Sequence, residues 1–319
     1  MNNPKSILKV VLPLLLGIAL VWYSLSQISI SKLVQYFKDA NYFWIVLGVS
    51  CGIMSHTSRA YRWLFMAEPL GYKPRFINSF MAVYSAYLIN LTIPRAGEVA
   101  RASILSNYED VPFDRGFGTI VAERVADTIM LFIIIGVALI LKFEFIYDYF
   151  MNKFNPTSLI VIVVAGLIVI SGMYIFIKKS ASKFALKVRN FIKGLIEGAL
   201  SIFKMKKKWP FIFHTVFIWV MYVFMFYITT KALPELSDIS LGAVLIGFIL
   251  ASFSIAATNG GIGSFPEAIV IAFLLFNMPE DPSRAFGWIM WSTQTLVIII
   301  LGGLSLIYLP IYNRKKARI

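Results

Sequence analysis

A chain of 319 residues that is 59% hydrophobic and 14% charged, with a mean hydropathy of +0.77, is not a soluble domain. Several of its apolar runs reach the roughly 20 residues that cross a bilayer. The net charge of +14 would fit a nucleic-acid binder, but residues 178–208 and 314–319 together supply +13 of it, which is the loop concentration of a membrane protein rather than a basic surface set with aromatics.

In chain order, residues 10–26 read as the first span. That run is long and lacks a small-x-small site, so it is not expected to be a cleaved signal, and Lys5 and Lys9 before it place the N-terminus in the cytoplasm. Residues 31–40 (SKLVQYFKDA) are amphipathic and suit the outer interface. Residues 42–65 return across, with His56, Arg59 and Arg62 in the last turns. Arg59 and Arg62 share a helix face. Two readings are open for them: they snorkel to the cytoplasmic headgroups, or they line an entry path for an anionic headgroup. Cys51, the single cysteine, excludes an internal disulfide and a cysteine metal cluster, and reads as a small packing residue.

The apolar run 76–93 stops in NLTIPRAGEVAR, residues 90–101. Pro94 cannot donate a backbone hydrogen bond, and Gly97 frees the chain from helical geometry. Arg95, Glu98 and Arg101 place three charges within seven residues. In hydrocarbon, broken backbone and charge are tolerated only where protein or a water-filled cavity satisfies them. The limb 97–106 covers roughly half the hydrocarbon thickness, so 76–107 is expected to be a re-entrant hairpin facing the cytoplasm. The span 117–141 carries Glu123, Arg124 and Asp127 near its start, with Arg124 in reach of Asp127 one turn on.

Residues 142–157 read as a short, charge-neutral outer loop, and 158–177 return. In 178–208, Phe184, Val188, Phe191, Ile192, Leu195, Ala199 and Phe203 recur at helical spacing, which describes a basic helix on the inner leaflet. Residues 209–230 span outward, and their His214 reads as structural. Residues 241–257 enter from outside and break in TNGGIGSFPE, residues 258–267. The short limb 266–276 follows, giving a second hairpin, 241–277, that faces outside. The last span is 285–309, flanked by Pro282 and Arg284, with Gln294 its sizeable uncharged amide.

The expected fold is therefore all-α: a polytopic helical membrane protein with six full spans and two re-entrant hairpins in a single transmembrane domain, 1–319. With both hairpins re-entrant, the outer segments 28–42, 142–157, 231–240 and 277–284 sum to +1, 0, −1 and −1, and every strongly basic loop is cytoplasmic. The halves 1–150 and 151–319 repeat one order of elements in opposite senses, as in inverted-repeat transporters whose site lies between discontinuous helices. Helix ends at such breaks attract ions. Arg95, Arg101 and Arg124 are candidates to pair a phosphate, while Glu98, Glu123, Asp127 and Glu267 balance them or carry a proton. Asn90, Pro94, Gly97, Asn259, Gly260, Gly261 and Gly263 complete the candidate substrate-binding set. The alternative is that these charges only pair with one another to fasten the fold.

At these residues the sequence resembles the flippase-like membrane family that includes the transmembrane half of bacterial lysylphosphatidylglycerol synthases. The resemblance is carried by Arg59-x-x-Arg62-Trp63, Pro94-x-x-Gly97-Glu98-x-x-Arg101, Glu123-Arg124-x-x-Asp127, and Gly260-Gly261-Ile262-Gly263 with Glu267. It implies a bacterial or archaeal cytoplasmic-membrane protein that moves a lipid headgroup between leaflets. Asn259 stands where that motif usually has proline. The chain also ends ten residues after its last span, so the soluble lysyl-transfer reaction of the synthases is not expected.

The expected partner is a membrane lipid with an anionic or polyprenyl phosphate headgroup, not nucleic acid. A homo-oligomer or a glycosyltransferase partner stays open, and neither cofactor nor metal is called for. The rival reading, a membrane-embedded lipid-modifying enzyme, lacks HExxH, Gly-x-Ser-x-Gly and a Cys/His cluster. It is left with carboxylates such as Glu98, Glu123 and Glu267 as a base. A scaffold that recruits a glycosyltransferase through the basic helix 182–204 is the third reading.

Overall fold

The computed structural model describes residues 4–93, 95–153, 155–180, 182–189, 205–258 and 260–314. Pro94, Asn259, most of the basic helix expected at 182–204 and the tail 315–319 lie outside them. The described chain is helical throughout, without strands. Its helices are α1 (Pro4–Ser26), α2 (Ile30–Asp39), α3 (Tyr42–Ala67), α4 (Phe76–Thr92), α5 (Ala96–Glu109), α6 (Phe113–Leu141), α7 (Phe143–Lys153) and α8 (Pro156–Lys179). They continue as α9 (Lys183–Arg189), then α10 (Lys208–Thr230), α11 (Leu241–Ala257), α12 (Ser264–Leu274) and α13 (Glu280–Tyr312).

Helices α6, α10 and α13 are each long and apolar enough to cross a membrane, and the bent pairs α1–α2 and α8–α9 raise that number to five. The sixth expected crossing, α3, has 26 residues, but His56, Arg59 and Arg62 occupy its second half. The segment 142–157, expected as a loop, holds the 11-residue helix α7. The chain forms two compact units, one of residues 1–120 with 209–319 and one of 121–208, a division that does not follow a cut at residue 150.

In the first unit, α4 and α5 fold back as an antiparallel hairpin. Glu109, ending α5, accepts hydrogen bonds from Arg75 Nε (2.8 Å) and from Asn78 at the start of α4. Near the turn, Gly97 comes so close to α4 that a Cβ there would lie 2.1 Å from the Ala86 carbonyl oxygen. Arg95 caps α5 in the left-handed region at φ 63°. α11 and α12 form a second antiparallel hairpin: a Cβ on Gly247 would meet Phe273 at 2.7 Å, and at the other end Thr258 and Ser264 hydroxyls pair at 2.8 Å. Gly260, Gly261 and Gly263 make its turn with φ of 67°, 77° and 70°, values open to glycine at little steric cost. The four limbs have 17, 14, 17 and 11 residues, and each falls short of the roughly 30 Å of hydrocarbon.

Helix α13 is the spine of this unit. Glu280 and Asp281 in its first turn complement the helix dipole, and Asp281 pairs with Lys32 of α2, whose ammonium is raised above the ordinary lysine range by that hydrogen bond and charge. Descending α13, Arg284 meets Glu267, Gly287 meets Pro266, Trp291 meets Gly260 and Gly302 meets Tyr84 and Leu88. At its foot Asn313 exchanges amide hydrogen bonds with Asn78 at 2.9 and 3.0 Å. The two hairpins thus dock on α13 from opposite ends. An aromatic core joins α10 to α13, with Phe226 edge-on to Phe248, Phe273 and Phe286 at 6.0, 6.2 and 5.1 Å.

Gly97→Ala is expected to destabilise the protein by about 1–3 kcal/mol, because the backbone of Ala86 cannot yield to the added methyl. Gly303→Ala, with nothing within 4 Å, should leave the thermal unfolding midpoint in detergent almost unchanged. Equal midpoints for the two variants would refute the close approach of α5 to α4.

Candidate functional site

The two breaks meet. A Cβ on Gly260 would lie 3.1 Å from Leu91 near the end of α4, and Trp291 Nε1 donates to the Gly260 carbonyl at 2.9 Å. Each turn is closed by a side chain from outside its own loop. Asn90 Oδ1 accepts from the Gly97 N–H at 2.7 Å, while its Nδ2 reaches Glu98 Oε2 at 3.4 Å. Asn90, Gly97, Glu98, Gly260, Gly261 and Gly263 lie together at the tips.

The charges do not gather around those tips. Glu267 is engaged by Arg284 through Nε at 2.9 Å and Nη2 at 3.2 Å, and by Ser24 Oγ at 2.6 Å. Arg284 Nη2 also donates to Glu280 at 2.9 Å, and Trp288 Nε1 donates to Ser24 at 3.1 Å. This clasp ties α1, α12 and α13 together, while Glu98 accepts from Asn90 at the other tip. Arg284 was visible in the sequence only as a flank of the last span; its i, i+4 spacing to Glu280 was the available signal.

The arginines divide in the same way. Arg95 is exposed at the tip. Arg101, six residues later on α5 and so about 9 Å along the axis, is 3% exposed and stacks on Trp63 with its guanidinium carbon 3.8 Å from the ring centroid. Arg95 thus stands at the exposed tip, whereas Arg101 packs on α3. There Arg59 and Arg62 are 3% and 0% exposed, so neither snorkels. Arg62 Nη1 donates to Thr215 Oγ1 at 2.9 Å and lies 5.4 Å over Phe211. Trp63 is fixed by its Nε1 hydrogen bond to Thr119 at 2.7 Å. Two stretches singled out separately, 59–63 and 94–101, come together through Arg101 on Trp63.

His214 packs between helices, with Nδ1 2.8 Å from Ser58 Oγ and Tyr61 against its ring. Sequence reading passed over Trp63 as an arginine platform, Thr215 as an arginine acceptor, and the tyrosines around His56. In the second unit, Arg124 Nη1 lies 3.8 Å from Asp127 Oδ2, the one-turn pairing expected. Glu123 and Asp127 are buried at 0% and 7%. Pro94 and Asn259, the remaining candidates, lie outside the described residues.

Interrupted hairpins docked on one long apolar helix, with arginines sealed among the other helices, define an all-α multi-pass membrane protein built around buried charge. The chain belongs to the family described as the lysylphosphatidylglycerol synthase TM region, whose profile matches residues 10–303. It is similar to the UPF0104 membrane protein MJ1595 of Methanocaldococcus jannaschii, at 25% identity over 342 aligned positions covering 98% of this chain and 97% of that relative. No solved structure matches the chain.

The clasp gives a stability test. Arg284→Ala leaves the mostly buried Glu267 without its cation, and should cost about 3–5 kcal/mol. Replacing the pair together, Glu267→Gln with Arg284→Met, should recover most of that loss in thermal unfolding, and a double variant no more stable than Arg284→Ala would refute the pairing.

Proposed function

We propose that the protein binds a lipid through an anionic headgroup, of the phospholipid or polyprenyl phosphate type, and moves it between leaflets without altering it chemically. The observation that carries this reading is the burial of Arg59, Arg62 and Arg101 within a membrane-embedded helical body. Arginine at such depth is costly and marks ion or substrate paths by default. A guanidinium that is stacked by its face, as Arg101 is on Trp63, keeps its N–H edge directed in plane, where phosphate oxygens accept two parallel hydrogen bonds. The headgroup therefore sits at α3 and α5, and the interrupted tips near Leu91 and Gly260 lie on its way across. The basic segments 178–208 and 314–319 orient both termini to the cytoplasm of a bacterial or archaeal cell membrane.

The test is transfer of a fluorescent phosphatidylglycerol or polyprenyl phosphate between leaflets of proteoliposomes. Arg62→Ala and Arg101→Ala should each slow transfer at least about tenfold, the loss of one charge-assisted hydrogen bond or more, whereas Arg95→Ala at the exposed tip should not. Undiminished transfer in both buried-arginine variants would overturn the phosphate role, and formation of a chemically altered lipid would replace the carrier by an enzyme.

A further inference from the structure

One turn above Arg59 on α3, His56 is surrounded by tyrosines from two other helices. Its ring centroid lies 5.6 Å from Tyr84 and 4.7 Å from Tyr87 of α4, and 5.8 Å from Tyr222 of α10. Tyr222 Oη and His56 Nδ1 are 3.3 Å apart, and the rings of Tyr84 and Tyr87 meet edge to face at 6.4 Å. His56, Tyr87 and Tyr222 are half-buried, whereas Tyr84 is 0% exposed. Among the described residues the Tyr84 hydroxyl makes no hydrogen bond, and neither do the buried hydroxyls of Ser55 and Ser85 beside the two ring-bearing positions. Buried polar groups are nearly always satisfied, so a cluster that is not calls for a ligand or a water.

We infer that His56, Tyr84, Tyr87 and Tyr222 form a subsite for a neutral, hydroxyl-bearing group attached to the phosphate held by Arg59 and Arg62, an inference that rests on the phosphate reading above. Three features select that chemistry. The phenols and imidazole both donate and accept, as hydroxyl groups require. The ring faces offer dispersion contact to the C–H surface of a polyol. An apolar group would leave the buried Tyr84 hydroxyl unmet. Glycosyl phosphate and glycerol phosphate lipids share this chemistry.

The experiment is titration of the detergent-purified protein, followed by native mass spectrometry, with polyprenyl phosphoglucose, polyprenyl phosphate, phosphatidylglycerol, phosphatidic acid and phosphatidylethanolamine. Tyr84→Phe removes only the hydroxyl and should leave thermal stability unchanged. It is expected to weaken the two hydroxylated lipids about three- to tenfold while leaving polyprenyl phosphate and phosphatidic acid as in the wild type. Whether the glucose or the glycerol lipid loses more identifies the source of the hydroxyl. Equal effects on hydroxylated and bare phosphates, or tighter wild-type binding of phosphatidylethanolamine than of phosphatidylglycerol, would overturn the subsite. Arg62→Ala should weaken all four phosphate lipids that lack an amine. If it weakens none, the phosphate reading falls separately from the result at Tyr84.

Discussion

A helix interrupted within hydrocarbon leaves backbone donors and acceptors that no water can reach, and each must find a partner in protein. That requirement explains the two turns better than any charge does. The Gly97 N–H is taken by the amide of Asn90 on the opposite limb, and the Gly260 carbonyl is taken by the indole of Trp291 on α13. Both partners come from apolar helices and are side chains that a helix has no need of for its own stability. Once the ends are closed this way, the tips can pack against each other through Leu91 and Gly260.

That frees the ionised groups for two different tasks. Arg284 pairs with both Glu267 and Glu280, and Ser24 extends the group to a third helix, so these contacts tie α1 and α12 to α13. Arg62 and Arg101 make contacts of another kind in the first unit, Arg62 with Thr215 and Phe211 and Arg101 with Trp63, and Arg59 is buried beside Arg62 on α3. The charges singled out in the sequence thus stand in more than one arrangement, Glu267 in the Arg284 ion pair and Arg101 against the Trp63 ring.

The hairpins were legible because Pro94, Gly97 and the glycines at 260–263 interrupt apolar runs, and backbone chemistry of that kind is local. The pairing of Arg124 with Asp127 was legible for the same reason, being one helical turn. That Arg95 is exposed while Arg101 is buried was not legible, because proximity in sequence says nothing about which face a helix buries once it begins at a left-handed cap. The stacking of Arg101 on Trp63 crosses 38 residues, and the aromatic surroundings of His56 draw on α4 and α10. Such contacts are set by helix packing, which no short pattern encodes. The loop expected at 142–157 became α7 because a charge-neutral stretch gives no signal against helix.

The two ends of α13 differ in what opening them costs. Arg284 and Asn313 are 29 residues apart, about 43 Å of helix and close to the full thickness of a bilayer with its headgroups. At one end sits a bidentate ion pair whose cation is 2% exposed, and separating it strands a charge in low dielectric. At the other, the buried side chains of Asn78 and Asn313 exchange neutral amide hydrogen bonds, each worth about 1 kcal/mol net, and Arg75 adds a charged donor to Asn313. The α11–α12 hairpin is thus fastened to α13 by an ion pair, and the α4–α5 hairpin, which carries Arg101 and two of the tyrosines beside His56, by hydrogen bonds.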